Sequence, residues 1–233
     1  VYYRDHARTE RMDRLNAQFV PAGGLAFDIG AHVGDRTGSF LRLGASVVAV
    51  EPQPQLFRAL RLIYGRNERV SLYRTALGAK TGTLELYINQ ENPTVSTASQ
   101  DLISAAATAS EWQGQVWDEQ VSVPVTTLDD LIRNHGKPDF VKIDVEGFEE
   151  EVLRGLTAPV RNLSFEFTTI QRAVALGSID QLERLAPHAY NLSLGEDHRL
   201  RYPNWIDAFE MRTALKALPT SANSGDVFAQ PMG

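Results

Sequence analysis

The chain of 233 residues contains no cysteine. Disulfide bonds and thiolate metal sites are therefore excluded, and a reducing compartment is expected. The chain also lacks any run of about 18 apolar residues, the length that a membrane-spanning helix needs, and its first residues hold no apolar signal-peptide core. The sequence thus predicts a soluble, cytoplasmic protein without membrane contact.

Positive charge is scarce as well. The 29 acidic and 23 basic residues give a formal net charge of -6. Proteins that bind nucleic acid concentrate Lys and Arg against the phosphates, so this balance predicts no nucleic-acid partner. The length is typical of a single α/β domain. No feature of the sequence indicates an oligomeric state.

Two phosphate-binding motifs are missing from the first glycine-rich turn. An apolar segment at 25–29 leads into a turn with glycines at positions 30, 34 and 38. A dinucleotide fold needs G-x-G-x-x-G, and here Ala31 and His32 occupy the position of close pyrophosphate approach. No G-K-[ST] follows, so a P-loop is also excluded. The predicted ligand is a nucleoside without a diphosphate.

Charged residues at two strand ends define what that ligand is. Asp28 lies one residue inside the first apolar segment, where its charge repels phosphate and favours an ammonium or sulfonium. The next segment, 46–50, leads into Glu51 and Pro52, and a carboxylate about 20 residues after the turn can accept hydrogen bonds from both ribose hydroxyls. S-adenosylmethionine fits these constraints, since it carries a ribose, an amino group and a sulfonium but no phosphate.

Apolar segments and amphipathic segments alternate along the chain. The nearly continuous apolar strands predict a parallel sheet covered by helices on both faces. We predict an N-terminal helical arm at 1–24 and one α/β domain at 25–233. The predicted strands of the sheet are 25–29, 46–50, 70–73, 140–144, 163–167, 190–194 and 227–229. The predicted helices include 5–19, 35–43, one with Leu56, Leu60, Ile63 and Tyr64 on one face, one opened by Thr127, 147–153, 178–185 and 205–218.

The middle of the chain departs from this alternation. Segments 83–88 and 121–125 alternate with period two and flank residues 89–120, which are rich in Ser, Thr, Ala and Gln. Long insertions in compact domains are often functional, so we predict a lid over the sheet; a surface elaboration is the alternative. Trp112 and Trp117 would either stack on an acceptor or fill a small core.

Four segments together resemble the FkbM family of S-adenosylmethionine-dependent methyltransferases: F-D-I-G-A-H-V-G at 27–34, V-E-P at 50–52, T-L-D at 127–129 and V-K-I-D-V-E-G-F-E at 141–149. The last segment is the most specific of them. The resemblance implies a seven-stranded Rossmann-like sheet, parallel except for one late strand, and O-methylation of a hydroxyl on a small molecule or glycan. Relatives often carry His where this chain has Phe148, so no role is transferred to that position.

The predicted cofactor contacts lie at the ends of the first three strands and at the fourth. Thr37 would bond the methionine carboxylate or only its own helix, and His32 would lie over the cofactor or on the polar surface. The resemblance implies an adenine contact at Ala76 and Leu77. The full predicted set is Asp28, Gly30, Ala31, His32, Gly34, Thr37, Glu51, Pro52, Ala76, Leu77 and Asp144.

The predicted catalytic residues are Asp144, Glu146 and Glu166. A protonated alcohol is a poor nucleophile, so a base or a metal should assist methyl transfer. Asp144 could instead cap the following helix, and Glu146 could be an ordinary first-turn acid, as we predict for 149–151. We predict no required metal, although the three carboxylates could hold Mg²⁺ or Ca²⁺. A catalytically silent binding domain is the alternative function; a nicotinamide oxidoreductase is disfavoured by the glycine spacing.

Overall fold

A computed structural model describes residues 5–232, which fold into two β-sheets with helices packed around the larger one. The strands are β1 (Leu25–Ile29), β2 (Ser46–Val50), β3 (Val70–Tyr73), β4 (Ala76–Leu77), β5 (Gly82–Ile88), β6 (Glu119–Thr126), β7 (Phe140–Ile143), β8 (Leu163–Thr168), β9 (His188–Leu194) and β10 (Ser224–Pro231). The helices are α1 (His6–Asn16), α2 (Asp35–Arg42), α3 (Pro54–Tyr64), α4 (Gln100–Ala106), α5 (Leu128–His135), α6 (Glu149–Arg154), α7 (Arg172–Leu185) and α8 (Ala208–Ala217). Within the described residues, no helix has the length and apolar character needed to cross a membrane.

The larger sheet has seven strands in the order β3-β2-β1-β7-β8-β10-β9. Strand β10 runs antiparallel to both of its neighbours, and the other pairs are parallel. The predicted Rossmann-like sheet with one late antiparallel strand is therefore confirmed. Strands β2 and β3 lie on one side of β1, and the chain then crosses to the other side of β1 to form β7. The neighbouring strands β1 and β7 therefore mark the switch point of the sheet, and ligands bind at the carboxyl ends of these strands in such folds.

The sheet is covered on both faces because its strands alternate between two apolar clusters. Phe27 and Ile143 belong to the cluster on one face, and Phe140 and Phe228 belong to the other. Phe19, which follows α1, stacks on Phe140 and on Phe228 with ring centroids 5.2 Å apart in each pair. The N-terminal segment is thereby packed against the sheet.

Local capping accounts for several helix boundaries. The side chain of Thr127 accepts a hydrogen bond from the Asp130 N–H at 3.1 Å, which caps the helix that Thr127 was predicted to open. Asp207 caps α8 in the same way, so that helix begins at Ala208 rather than at the predicted 205. Helix α3 includes the four residues predicted on one face, of which Leu60 is fully buried and Ile63 is 55% exposed.

The middle segment forms a second, three-stranded sheet in the order β4-β6-β5, with α4 in the connection between β5 and β6. Trp112 is buried against Leu102 and Ala106 of α4, with Trp117 packed beside them. The Trp117 indole N–H donates to the Val95 carbonyl at 2.9 Å. Of the two roles considered for the tryptophans, the structure shows the filling of a small core.

Candidate active site

A cavity of about 590 Å³ opens at the carboxyl ends of β1, β2 and β7, beside the switch point of the larger sheet. It lies where the parallel topology predicts a ligand. Ten of the thirteen predicted site residues line it: Gly30, Ala31, His32, Glu51, Pro52, Ala76, Leu77, Asp144, Glu146 and Glu166. The sheet therefore gathers residues that are more than 130 positions apart in sequence.

The other three predicted residues, Asp28, Gly34 and Thr37, do not line the cavity. Asp28 and Thr37 are buried, and the Thr37 hydroxyl donates to the Asp28 carboxyl group at 2.5 Å. Burial raises the pKa of Asp28 to about 6. At Gly34, a Cβ atom would lie 2.3 Å from the ring of Tyr64. These residues pack beneath the glycine-rich turn, on the side away from the cavity. Their contact with a cofactor stays a prediction.

Gly30 has a structural role that differs from the expected close approach to a ligand. Its φ is +82°, and a Cβ atom there would lie 1.7 Å from the carbonyl oxygen of Asp144. The missing side chain thus admits the tip of β7, and the predicted contact of Gly30 with a ligand stays a prediction. The Asp144 N–H donates to the Ile29 carbonyl at 2.9 Å, which fixes the tips of β1 and β7 against each other.

Glu51 is the buried carboxylate at the tip of β2, with 2% of its surface exposed. One of its oxygens accepts the backbone N–H of His32 and the other that of Gln53, both at 2.8 Å. Burial raises the pKa of Glu51 to about 7, although these two N–H donors oppose the rise. Each oxygen keeps a second lone pair. Glu51 can therefore accept two further hydrogen bonds from the cavity.

Three carboxyl groups meet beneath the cavity at the ends of β7 and β8. Asp144, Glu146 and Glu166 each offer an oxygen within 4.8 Å of the others. Such an oxygen set can accept a proton from a hydroxyl or ligate a hard divalent cation. The predicted grouping of these side chains is what the topology produces, because parallel strands β7 and β8 end at the same edge.

The three groups differ in their proton affinity. Burial opposes ionisation of Asp144, but the ammonium of Lys142, 3.2 Å away, a hydrogen bond from Glu166 and the charge of Arg36 together outweigh it and lower the pKa of Asp144. Burial raises the pKa of Glu146 well above its ordinary value, and the charge of Asp144 adds to the rise. Burial and the charges of Asp144 and Glu146 do the same to the pKa of Glu166. The site thus combines one ionised carboxylate with two groups that hold protons more tightly.

Lys142 is a functional residue to which we assigned no role from the sequence. Its buried ammonium lies 3.2 Å from Asp144 and 2.5 Å from Asp226 on β10. Burial lowers the pKa of Lys142, but the two carboxylates outweigh this and raise it. The available signal was a charged residue inside an otherwise apolar strand, F-V-K-I. Lys142 holds Asp144 ionised and in place.

Glu149 is more than the ordinary first-turn acid that we predicted. It is buried, and its Oε1 accepts the backbone N–H groups of Val145 and Gly147, both at 3.2 Å. Burial raises the pKa of Glu149 to about 7. The side chain fixes the loop between β7 and α6 that carries Glu146. Its neighbours behave as predicted surface acids, since Glu150 and Glu151 both pair with Arg154.

The rest of the wall consists of a charged side chain from the N-terminal helix and of apolar side chains. Helix α1 contributes Arg8, which pairs with Asp35 at 3.3 Å and with Glu196 at 2.7 Å. Apolar side chains, including Val50, Leu77, Leu86 and Phe148, form another part of the wall. An apolar wall with a few directed polar groups suits a planar base joined to a sugar.

The sheet has the strand order of a class I methyltransferase fold, and the cavity at its switch point has no diphosphate-binding motif. The model of the methyltransferase FkbM domain family matches residues 28–213. The chain belongs to this family, and S-adenosylmethionine is its methyl donor. No curated protein sequence matches the chain significantly.

Solved structures with the same fold have low sequence identity to this chain. A TehB-like S-adenosylmethionine-dependent methyltransferase from Corynebacterium glutamicum is 13% identical, with a TM-score of 0.47 over 95% of this chain and 88% of that one. The precorrin-6y C5,15-methyltransferase of Geobacter metallireducens is 13% identical, with a TM-score of 0.46 over 97% and 87%. An O-methyltransferase from Bacillus cereus in complex with S-adenosylhomocysteine is 12% identical, with a TM-score of 0.45 over 98% and 82%. At these values the likeness is no guide to the acceptor.

Proposed function

We propose that this methyltransferase is an O-methyltransferase that acts on a hydroxyl of a small molecule or glycan. The observation that carries the proposal is the state of Glu146. Its carboxyl group faces the same cavity as Glu51, its pKa is raised, chiefly by burial, and it has no side-chain hydrogen-bond partner among residues 5–232. A raised pKa makes the ionised form of this carboxyl group a stronger base, which suits it to accept a proton from an acceptor hydroxyl.

The residues that line the cavity fit the methyl donor. Glu51 would accept hydrogen bonds from both ribose hydroxyls, and the apolar surface of Leu77 and Phe148 would receive the adenine. Asp144, held ionised by Lys142, would favour the positive charges of the donor. When bound, S-adenosylmethionine supplies an electrophilic methyl carbon on a sulfonium sulfur.

The chain's own residues then act on the acceptor. In its ionised form, Glu146 would take the proton of the acceptor hydroxyl while the hydroxyl oxygen receives the methyl group and S-adenosylhomocysteine leaves. Asp144 does not serve as the base, because the Lys142 ammonium stabilises its ionised form and so weakens its basicity. Glu166, beside them, holds a proton more tightly than an ordinary glutamate, because burial and the charges of Asp144 and Glu146 raise its pKa. The walls hold the acceptor oxygen near the methyl group, which supplies much of the acceleration.

The charge of the cavity wall supports a neutral acceptor. Six carboxyl groups and two guanidinium groups line it: Asp35, Glu51, Asp144, Glu146, Glu166 and Glu196, with Arg8 and Arg36. The excess of acidic over basic groups disfavours an acceptor that carries phosphate. The absence of a nucleic-acid partner stays a prediction. Segment 89–120 lines part of the cavity through Thr94, Ser96 and Ala98, which supports its proposed role as a lid on a domain at 25–233, with 1–24 as an arm. The cytoplasmic location stays a prediction.

The test has two stages. Calorimetry first measures the binding of S-adenosylmethionine, and release of S-adenosylhomocysteine is then followed on a panel of neutral polyhydroxyl acceptors. We expect Glu146→Gln to lower kcat at unchanged cofactor affinity, and the exposed-site control Glu85→Gln to behave as the wild type. Cofactor binding without turnover on any acceptor would favour the catalytically silent domain instead. Loss of turnover on chelation, with recovery on adding Mg²⁺, would assign the carboxylates to a metal rather than to a base.

A further inference from the structure

The backbone of Glu146 is held in a conformation that its residue type disfavours. Its φ is +52°, in the left-handed region. That region costs a residue with a Cβ atom free energy, and only Gly, Asn and Asp enter it routinely. Such strain persists at functional sites when the surroundings hold the residue in place. The contacts around Glu146 show what holds it.

The first contact comes from the insertion. The Thr97 hydroxyl donates to the Glu146 carbonyl at 2.6 Å, and the oxygen of that hydroxyl accepts the Ser99 N–H at 2.8 Å. Thr97 is fully buried, and its backbone pairs with Tyr87 of β5 through two hydrogen bonds of 2.8 and 2.9 Å. The hydroxyl therefore has one donor on one side and one acceptor on the other, so its direction is fixed.

The remaining contacts hold the peptide groups beside Glu146. The Glu149 carboxyl group accepts the N–H groups of Val145 and Gly147, so the backbone is held on both sides of the strained residue. Gly147 is packed against the insertion as well. A Cβ atom on it would lie 3.3 Å from the Cβ of Leu102 on α4 and 2.3 Å from the Gln171 side chain. Thr97 supplies the hydrogen bond to Glu146 itself.

We propose that Thr97 is a positioning residue for the catalytic base, through which the insertion at 89–120 sets the direction of the Glu146 side chain. This rests on the proposed function of Glu146. The insertion then has a second role beside covering the cavity, because its fold keeps the strained loop in the active conformation. Loss of the bond lets residue 146 relax toward ordinary φ values, which turns its carboxyl group away from the acceptor.

The test compares Thr97→Val, which keeps the shape and removes the donor, with Thr97→Ser, which keeps the donor. Thr108→Val, elsewhere in the insertion and exposed, is the control. For Thr97→Val we expect amide exchange in the 144–148 peptide to rise about tenfold, the size of one lost hydrogen bond. We also expect kcat to fall about tenfold to a hundredfold. The Kd for S-adenosylmethionine and the acceptor KM should stay within about twofold, because no bond to either is removed. Thr97→Ser should restore both readouts.

Two results would overturn the proposal. One is a Thr97→Val variant whose amide exchange and kcat are both those of the wild type. The other is a Thr97→Ser variant with the same loss of kcat and the same rise in amide exchange as Thr97→Val, since this would show that packing rather than the hydrogen bond positions Glu146. The exchange measurement does not depend on turnover, so it decides about Thr97 even if no acceptor is methylated. If Thr97→Val does not fold, the wild-type protein still provides a test by NMR. A slowly exchanging Thr97 hydroxyl proton is expected, and rapid exchange of that proton would contradict the proposal.

Discussion

Gly30→Ala should damage stability and activity together, because the tips of β1 and β7 meet at this residue. An added Cβ atom would lie 1.7 Å from the Asp144 carbonyl oxygen, whereas Cβ atoms essentially never come within 3.0 Å of another heavy atom. The two tips must therefore separate by more than 1 Å. Neither partner is a flexible side chain that could move aside.

The size of the effect follows from two contributions. A left-handed φ of +82° costs an alanine about 1–2 kcal/mol. Separating the tips also strains or breaks the hydrogen bonds from Asp144 to Ile29 and from Gly30 to Val50, and a buried unpaired group costs about 1–3 kcal/mol. We expect Gly30→Ala to lower the free energy of unfolding by about 4 kcal/mol in total.

Gly23→Ala is the matched control, since Gly23 has a φ of +76° and no heavy atom within 4 Å of an added Cβ. It carries the backbone strain alone and should cost about 1–2 kcal/mol. Denaturant unfolding of both variants measures the difference. The displacement of Asp144 should also lower kcat of Gly30→Ala about a hundredfold. Equal stabilities for the two variants would refute the close approach of the strand tips.

Two further predictions concern the buried charges. Lys142→Met leaves the buried Asp226 and the half-buried Asp144 without their shared ammonium, although Asp226 keeps Arg36 at 3.6 Å, and should cost about 3 kcal/mol of unfolding free energy. Arg161→Ala removes a pair whose guanidinium side chain is 71% exposed and should cost under about 1 kcal/mol. Similar costs in urea unfolding would contradict this. Burial raises the pKa of Asp28 to about 6 and those of Glu51 and Glu149 to about 7, so the folded state binds more protons than the unfolded state above pH of about 4. Their contribution to stability is therefore lost as pH rises from about 4 to about 7. Urea unfolding should give a lower free energy of unfolding at pH 8 than at pH 5, and the difference should be smaller in Glu149→Gln. A higher free energy of unfolding at pH 8 would contradict the assignment.

Much of the fold was predictable because its signals are local. Strands β1, β2 and β3 have the predicted bounds, since each is a short apolar run that ends at a turn residue or a charge. The meeting of Glu51 and Asp144 at one cavity follows from the same signals, because parallel strands share one carboxyl edge. The carboxyl groups that directly follow β2 and β7 thus mark the site.

The parts that could not be predicted depend on contacts between distant segments. Strand β4 has only two residues and exists because it pairs with β6, about 50 positions later. Lys142 acquires its role only when β10 brings Asp226 beside it. The packing of Gly30 against the tip of β7 could not be read from the sequence, because the two segments are more than 100 positions apart. Thr97 lies in a Ser- and Thr-rich segment without a periodic pattern, and only the folded insertion places it on Glu146.

The proposed site depends on the claim that Glu51, at the end of β2, accepts hydrogen bonds from the ribose hydroxyls of the methyl donor. Calorimetric titration of S-adenosylmethionine into the wild type, Glu51→Ala and the exposed-site control Glu85→Ala measures it directly. Hydrogen bonds to a charged group are worth about 1.5–3 kcal/mol each, so Glu51→Ala should weaken binding by at least about a hundredfold, while the control keeps the wild-type Kd. An unchanged Kd in Glu51→Ala would contradict the account.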